Sequence, residues 1–143
     1  MNARPGARRP VTILVAALGG QGGGVLAEWL VDAATRAGYP AQSTSIPGVA
    51  QRTGATTYYI EIFPVPRAEL GGREPVLSLL PVPGGIDVLV ASELLEAGRM
   101  VQAGFVDAAR TTLVASTSRT LTTTSSTNVD RPGGWNSVLL PRR

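Results

Sequence analysis

The chain has 143 residues, 43% of them hydrophobic, enough for one folded domain and too few for two well-buried ones. It contains no Cys and no His, which excludes disulfides, iron–sulfur ligation by its own thiolates and a histidine general base. Its net charge of +3 resides in the ends, because residues 11–120 carry seven Arg against nine acids, the opposite of a nucleic-acid face.

Residues 1–10 hold Arg4, Arg8 and Arg9 among Pro5 and Pro10, with no cleavage site of small residues, and read as a disordered basic arm rather than a secretion signal. The next run, Val11 to Ala16, is apolar and β-branched, as a buried strand should be. It is far shorter than the roughly 20 residues that span a bilayer, so no membrane association is expected. Without disulfides or a signal, the cytoplasm is the default compartment.

Ala17-Leu18-Gly19-Gly20-Gln21-Gly22-Gly23-Gly24 follows, and then Val25 to Ala34 with apolar residues at helical spacing. Strand, glycine turn and helix start make the first half of a βαβ unit, which aims backbone N–H groups and a helix dipole at one spot. The run matches neither the dinucleotide fingerprint G-x-G-x-x-G nor a P-loop, since the chain has no Lys at all. The plain reading of Gly19, Gly20 and Gly22 is a tight turn needing positive φ. Gln21 adds a carboxamide able to donate and accept toward a ligand or a facing loop.

Arg36, Gly38 and Pro40 read as a helix stop, with Asp32 and Arg36 paired one turn apart. Ala41 to Ile46 is a second strand candidate. Pro47 to Gly54 is a loop bounded by glycines that carries Gln51, Arg52 and Thr53, where a guanidinium beside a carboxamide suits an anionic group. Its bland reading is a solvated loop charge. Ala55 to Phe63 is a strand, with Tyr58 and Tyr59 packing on opposite faces of the sheet. Pro64 to Pro75 reads as a connector, Val76 to Leu80 as a short strand and Ile86 to Ala91 as a buried parallel strand. Ser92 is the expected N-cap of a helix ending at Gly104, with Glu93 and Glu96 as a charged first turn. Trp29 reads as core or interface on the first helix. Thr111 to Ser116 is the last strand.

Between Ser116 and Thr127 ten of twelve residues are Ser or Thr, so residues 121–143 are expected to form a low-complexity, poorly ordered tail. Strands alternating with helices over residues 11–120 predict a single three-layer α/β domain with a mostly parallel, Rossmann-like sheet. No catalytic constellation and no metal site assemble from these residue types, which points to a subunit that completes a site.

Gly19-Gly20-Gln21-Gly22 after the first strand, Ala50-Gln51-Arg52-Thr53-Gly54 about thirty residues on, and Ala91-Ser92-Glu93-Leu94-Leu95-Glu96-Ala97 together resemble the gamma-type domain of 2-oxoacid:ferredoxin oxidoreductases. The closer match is to the beta subunit of indolepyruvate oxidoreductase. The resemblance implies oxidative decarboxylation of an indolepyruvate-like 2-oxoacid to its acyl-CoA, with thiamine diphosphate, coenzyme A and iron–sulfur clusters in the complex and none bound by this chain alone. It implies an alpha-type partner subunit carrying thiamine diphosphate and clusters, and ferredoxin or another electron acceptor. Gly19, Gly20, Gln21, Gly22, Gln51, Arg52 and Thr53 would then bind cofactor or substrate. Two alternatives stay open: a free-standing nucleotide- or flavin-binding module, and an inactive fragment truncated or frame-shifted after about residue 120.

Overall fold

A computed structural model describes residues 8–47 and 54–117. Five strands form one sheet: β1 (Val11–Leu18), β2 (Ala41–Pro47), β3 (Ala55–Ile62), β4 (Val88–Ala91) and β5 (Thr112–Ala115), in the order β2-β3-β1-β4-β5. β1 pairs with β4, and β4 with β5, in parallel; β3 lies antiparallel between β1 and β2. Four strands therefore share one direction and β3 alone is reversed. The reason is local: too few residues separate β2 from β3 for the crossover that parallel neighbours need.

Two helices cover the two faces. α1 (Gly23–Arg36) carries the chain from β1 over to β2, and α2 (Leu94–Gln102) links β4 to β5. Alternation along β1 divides the core. Leu14 packs with Leu89, Ile86, Tyr59 and Ala97 of α2. Its neighbour Val15 packs on the other face with Ile60 and Ala27 of α1. The three-layer α/β fold expected from the alternating pattern is present, and the two tyrosines do take opposite faces.

The ends of α1 follow the sequence signals. Gly38 at φ 88° lets the chain leave the helix, Arg36 occupies the last turn, and its Nε donates to Asp32 at 2.7 Å. Gly104 ends α2 in the same left-handed conformation, at φ 79°.

The structure departs from four local expectations, two of them only in part. Residues 76–80 form no strand, and Val76 is 97% exposed. Ser78 there gives its N–H to Glu61 and its carbonyl to Gln42, so side chains take the bonds a neighbouring strand would have used. Trp29, read as core or interface, is 69% exposed, which removes the core reading and leaves the interface one. Ser92 is not the N-cap of α2, because its N–H still belongs to the β1 ladder, donating to Ala16 O at 2.9 Å; Glu93 takes the cap position. Finally, of the expected charged first turn Glu96 keeps its place while Glu93 moves to the cap, and both are buried, at 1% and 3% exposure.

Candidate functional site at the carboxyl rim of the sheet

β1 ends at Leu18 beside Ala55, the first residue of β3, and β2 ends at Pro47 beside Thr56. The glycine turn and both ends of the β2–β3 connection thus open on one rim. A backbone bond ties them: Gly19 N–H donates to Gly54 O at 2.9 Å. The N-termini of both helices reach the same edge, since α1 follows the glycine turn and α2 follows β4.

The glycines have separable jobs. Leu18 O accepts from Gln21 N–H at 3.2 Å, closing a four-residue turn that needs Gly20 at φ 83°. Gly22 enters the helix at φ 77°, again in the left-handed region. Among the described residues a Cβ at Gly20 or Gly22 would meet nothing within 4 Å. Gly23 is different. A Cβ there would lie 2.6 Å from Ala17 Cβ and 3.0 Å from the Tyr58 ring, so glycine allows the helix start to sit directly on the sheet.

Among the described residues no side chain caps α1, and its first turn holds no acid. The N–H groups of its first turn, which have no acceptor within the helix, and the dipole behind them therefore remain available to an anion. The chemistry of the rim is donation by backbone amides, suited to a phosphate or carboxylate group.

Gln21 is knitted inward. Its Oε1 accepts from Leu18 N–H at 3.1 Å and from the Ser92 hydroxyl, and its Nε2 donates to Glu93 Oε1 at 2.7 Å. The structure thus brings Gly19, Gly20, Gln21 and Gly22 together at one rim. Gln51, Arg52 and Thr53 lie outside the described residues. Sequence reasoning missed Ser92 and Glu93 as partners of the turn; the available signal was the position of Ser-Glu immediately after a buried strand, across from the glycine turn.

Elsewhere one buried and one partly buried network serve the scaffold. Glu61, 6% exposed, accepts from the Tyr59 hydroxyl and from Ser78 N–H at 2.6 Å, which pins the 64–87 connector to the sheet. Burial, reinforced by that bond to Glu61, pushes the Tyr59 phenol above its ordinary range. At the opposite rim Asp87 accepts from Arg9, Arg110 and both the amide and hydroxyl of Thr12. Burial alone would raise the Asp87 carboxyl, but these bonds outweigh it and hold the group well below the usual carboxylate range. A cavity of about 420 Å³ opens there beside Arg9, Pro10, Val11 and Val88. Its charges already satisfy each other, so it offers less to a ligand than the glycine rim does. Among the described residues no group of three His, Cys, Asp or Glu could hold a metal ion, and no helix is long and apolar enough to cross a membrane.

The family described as pyruvate ferredoxin/flavodoxin oxidoreductase matches residues 12–139. No curated protein matches. Among solved structures, a 2-oxoglutarate:ferredoxin oxidoreductase from Magnetococcus marinus, with 2-oxoglutarate, coenzyme A and succinyl-CoA bound, is similar at 14% identity and a TM-score of 0.57, over 87% of this chain and 19% of that one. A pyruvate oxidoreductase subunit from Thermotoga maritima is similar at 21% identity and a TM-score of 0.51, over 78% of this chain and 52% of that one. The gamma subunit of a keto/oxoacid ferredoxin oxidoreductase from Geobacter sulfurreducens is similar at 18% identity and a TM-score of 0.49, over 72% of this chain and 50% of that one. The chain spans about a fifth to a half of these proteins.

Proposed function

The chain belongs to the pyruvate ferredoxin/flavodoxin oxidoreductase family, and from that premise we propose that it acts as the gamma-type subunit or domain of a 2-oxoacid:ferredoxin oxidoreductase. On this reading the complex oxidatively decarboxylates an indolepyruvate-like 2-oxoacid to its acyl-CoA, and this chain closes the site from one side. The observation that carries the reading is the shared rim: the glycine turn and the end of the β2–β3 connection are joined by the Gly19–Gly54 bond.

Backbone amides of Gly20 and Gly22 hold an anionic group of substrate or cofactor, Gly19 and Gln21 shape the turn through their own bonds to Gly54 O and Leu18 O, and Gln51, Arg52 and Thr53 complete the contacts. The amide rim fits a phosphate or carboxylate, such as those of coenzyme A, thiamine diphosphate or the 2-oxoacid itself. Iron–sulfur clusters do not fit this chain, which has no Cys to ligate them. Clusters and thiamine diphosphate belong to an alpha-type partner subunit, with ferredoxin as electron acceptor and the cytoplasm as compartment. Bound to that partner, thiamine diphosphate supplies the carbanion chemistry. The share of this chain is to orient the anionic group and exclude water.

Co-expression with a candidate alpha-type subunit, followed by arylpyruvate-dependent dye reduction, tests the assignment. Activity that requires both chains supports it. An alpha-type subunit equally active alone, or a stable complex inactive toward every 2-oxoacid tried, rejects it.

A further inference from the structure

Three bonds hold the Gln21 carboxamide. Its carboxamide has two acceptor positions on Oε1 and two N–H donors on Nε2. Leu18 N–H and the Ser92 hydroxyl occupy Oε1, while Glu93 takes one N–H. A carboxylate only accepts and a backbone N–H only donates, so turning the amide over would set acceptor against acceptor at Glu93 and donor against donor at Leu18. The orientation is forced by its neighbours. Leu18 and Gln21 bond reciprocally, because Gln21 N–H also returns to Leu18 O at 3.2 Å.

Ser92 and Glu93 are themselves rigid. The N–H of Ser92 donates to Ala16 O at 2.9 Å, the Glu93 carbonyl accepts from Ala97 N–H at 3.1 Å, and Glu93 is 1% exposed. A buried carboxylate on a helix start is costly to place, and here it reaches across to the side chain of another loop. Among the described residues the second Nε2 hydrogen of Gln21 has no acceptor, and Gln21 is an exposed residue of the rim.

We propose that Ser92 and Glu93 are positioning residues: they lock the Gln21 carboxamide so that the glycine turn and the β4–α2 turn form one fixed rim, with a Gln21 N–H offered to the anionic group that the rim receives. The proposal rests on the reading of the rim as an anion site, and it adds where the shape of that site comes from. Glu93 acts through Gln21 and touches no ligand.

The test uses the full chain, isotopically labelled, with inorganic pyrophosphate as the probe. Nuclear magnetic resonance reads two separate things: the side-chain N–H signals of Gln21 with the exchange rate of Leu18 N–H, and the shifts of the Gly22 to Gly24 amides on titration. In the native chain one Gln21 proton is displaced downfield and slow to exchange, Leu18 N–H is protected, and pyrophosphate moves the glycine amides. In E93A the Gln21 signals collapse to those of a free carboxamide, and pyrophosphate binds about tenfold more weakly. E93Q, which keeps an acceptor oxygen at the same reach, restores both. S92A, at a half-buried position, gives the intermediate result and serves if E93A does not fold.

Native binding retained in E93A or S92A after the carboxamide is freed overturns the proposal, as does a native Gln21 without a locked signature. A locked signature with glycine amides that ignore pyrophosphate also overturns it, and locates the failure in the anion reading rather than in the latch.

Discussion

Gly19 N–H donates to Gly54 O at 2.9 Å, joining the turn after β1 to the last residue before β3. Gly54 makes this bond at φ 64°, in the left-handed region, where a Cβ is strained even though nothing stands within 4 Å of it. Gly54→Ala is therefore expected to cost about 1–2 kcal/mol from backbone strain alone. Urea unfolding of the full chain checks this; a loss below a few tenths of a kcal/mol would show that the rim tolerates another path.

Gly23→Ala should destabilise for a different reason. Its Cβ would lie 2.6 Å from Ala17 Cβ, in the closely packed layer between α1 and the sheet. Overpacking of this kind costs about 1–3 kcal/mol. The companion change Ala17→Gly in the same chain should recover part of the loss by removing the atom it meets, which thermal or urea unfolding of the double variant reads directly.

The acid beneath the connector gives a third expectation. Glu61→Ala leaves the buried Tyr59 hydroxyl and the partly buried Ser78 N–H without their acceptor, at a cost of about 2 kcal/mol. Tyr59→Phe removes only one donor and should cost about 1 kcal/mol. Hydrogen exchange at Ser78 separates the two variants: the amide opens in Glu61→Ala and stays protected in Tyr59→Phe.

Acid should weaken the fold through Asp87. Its carboxyl titrates lower in the folded chain than in the unfolded one, so its contribution is complete above about pH 4 and is lost as pH falls toward the folded value. The Arg9 side chain is 59% exposed, which leaves most of the worth of the network to Thr12 and Arg110. Asp87→Asn should be less stable than the native chain by about 2 kcal/mol at neutral pH. The gap should close below pH 4. A constant gap from pH 7 to pH 3 would assign the effect to shape rather than charge.

Much of the architecture is visible in residue order because local signals agree with tertiary demands. The buried run at β1, the glycine stops at Gly38 and Gly104 and the alternation through Tyr58 and Tyr59 each had one structural solution. Where local and tertiary demands part, sequence reasoning fails. Val76 to Leu80 has strand composition, yet Glu61 and Gln42 reach out from β3 and β2 and take the backbone of Ser78. Ser92 has the composition of an N-cap, but the ladder with β1 holds its backbone and Gln21 takes its hydroxyl. The burial of Glu93 is hidden because it depends on a partner far away in the chain, Gln21 being 72 residues from it. The glycine half of the site was legible as a turn; its bracing from β4 was not.

The central proposal is that Arg52 converges with the glycine turn when the chain is bound to an alpha-type subunit. Steady-state kinetics of the reconstituted complex carrying Arg52→Ala test it most directly. The account predicts intact assembly, with the KM of the anionic substrate or of coenzyme A raised about tenfold, the worth of one charged hydrogen-bonded contact. An assembled complex with both KM values and kcat at native levels would contradict it.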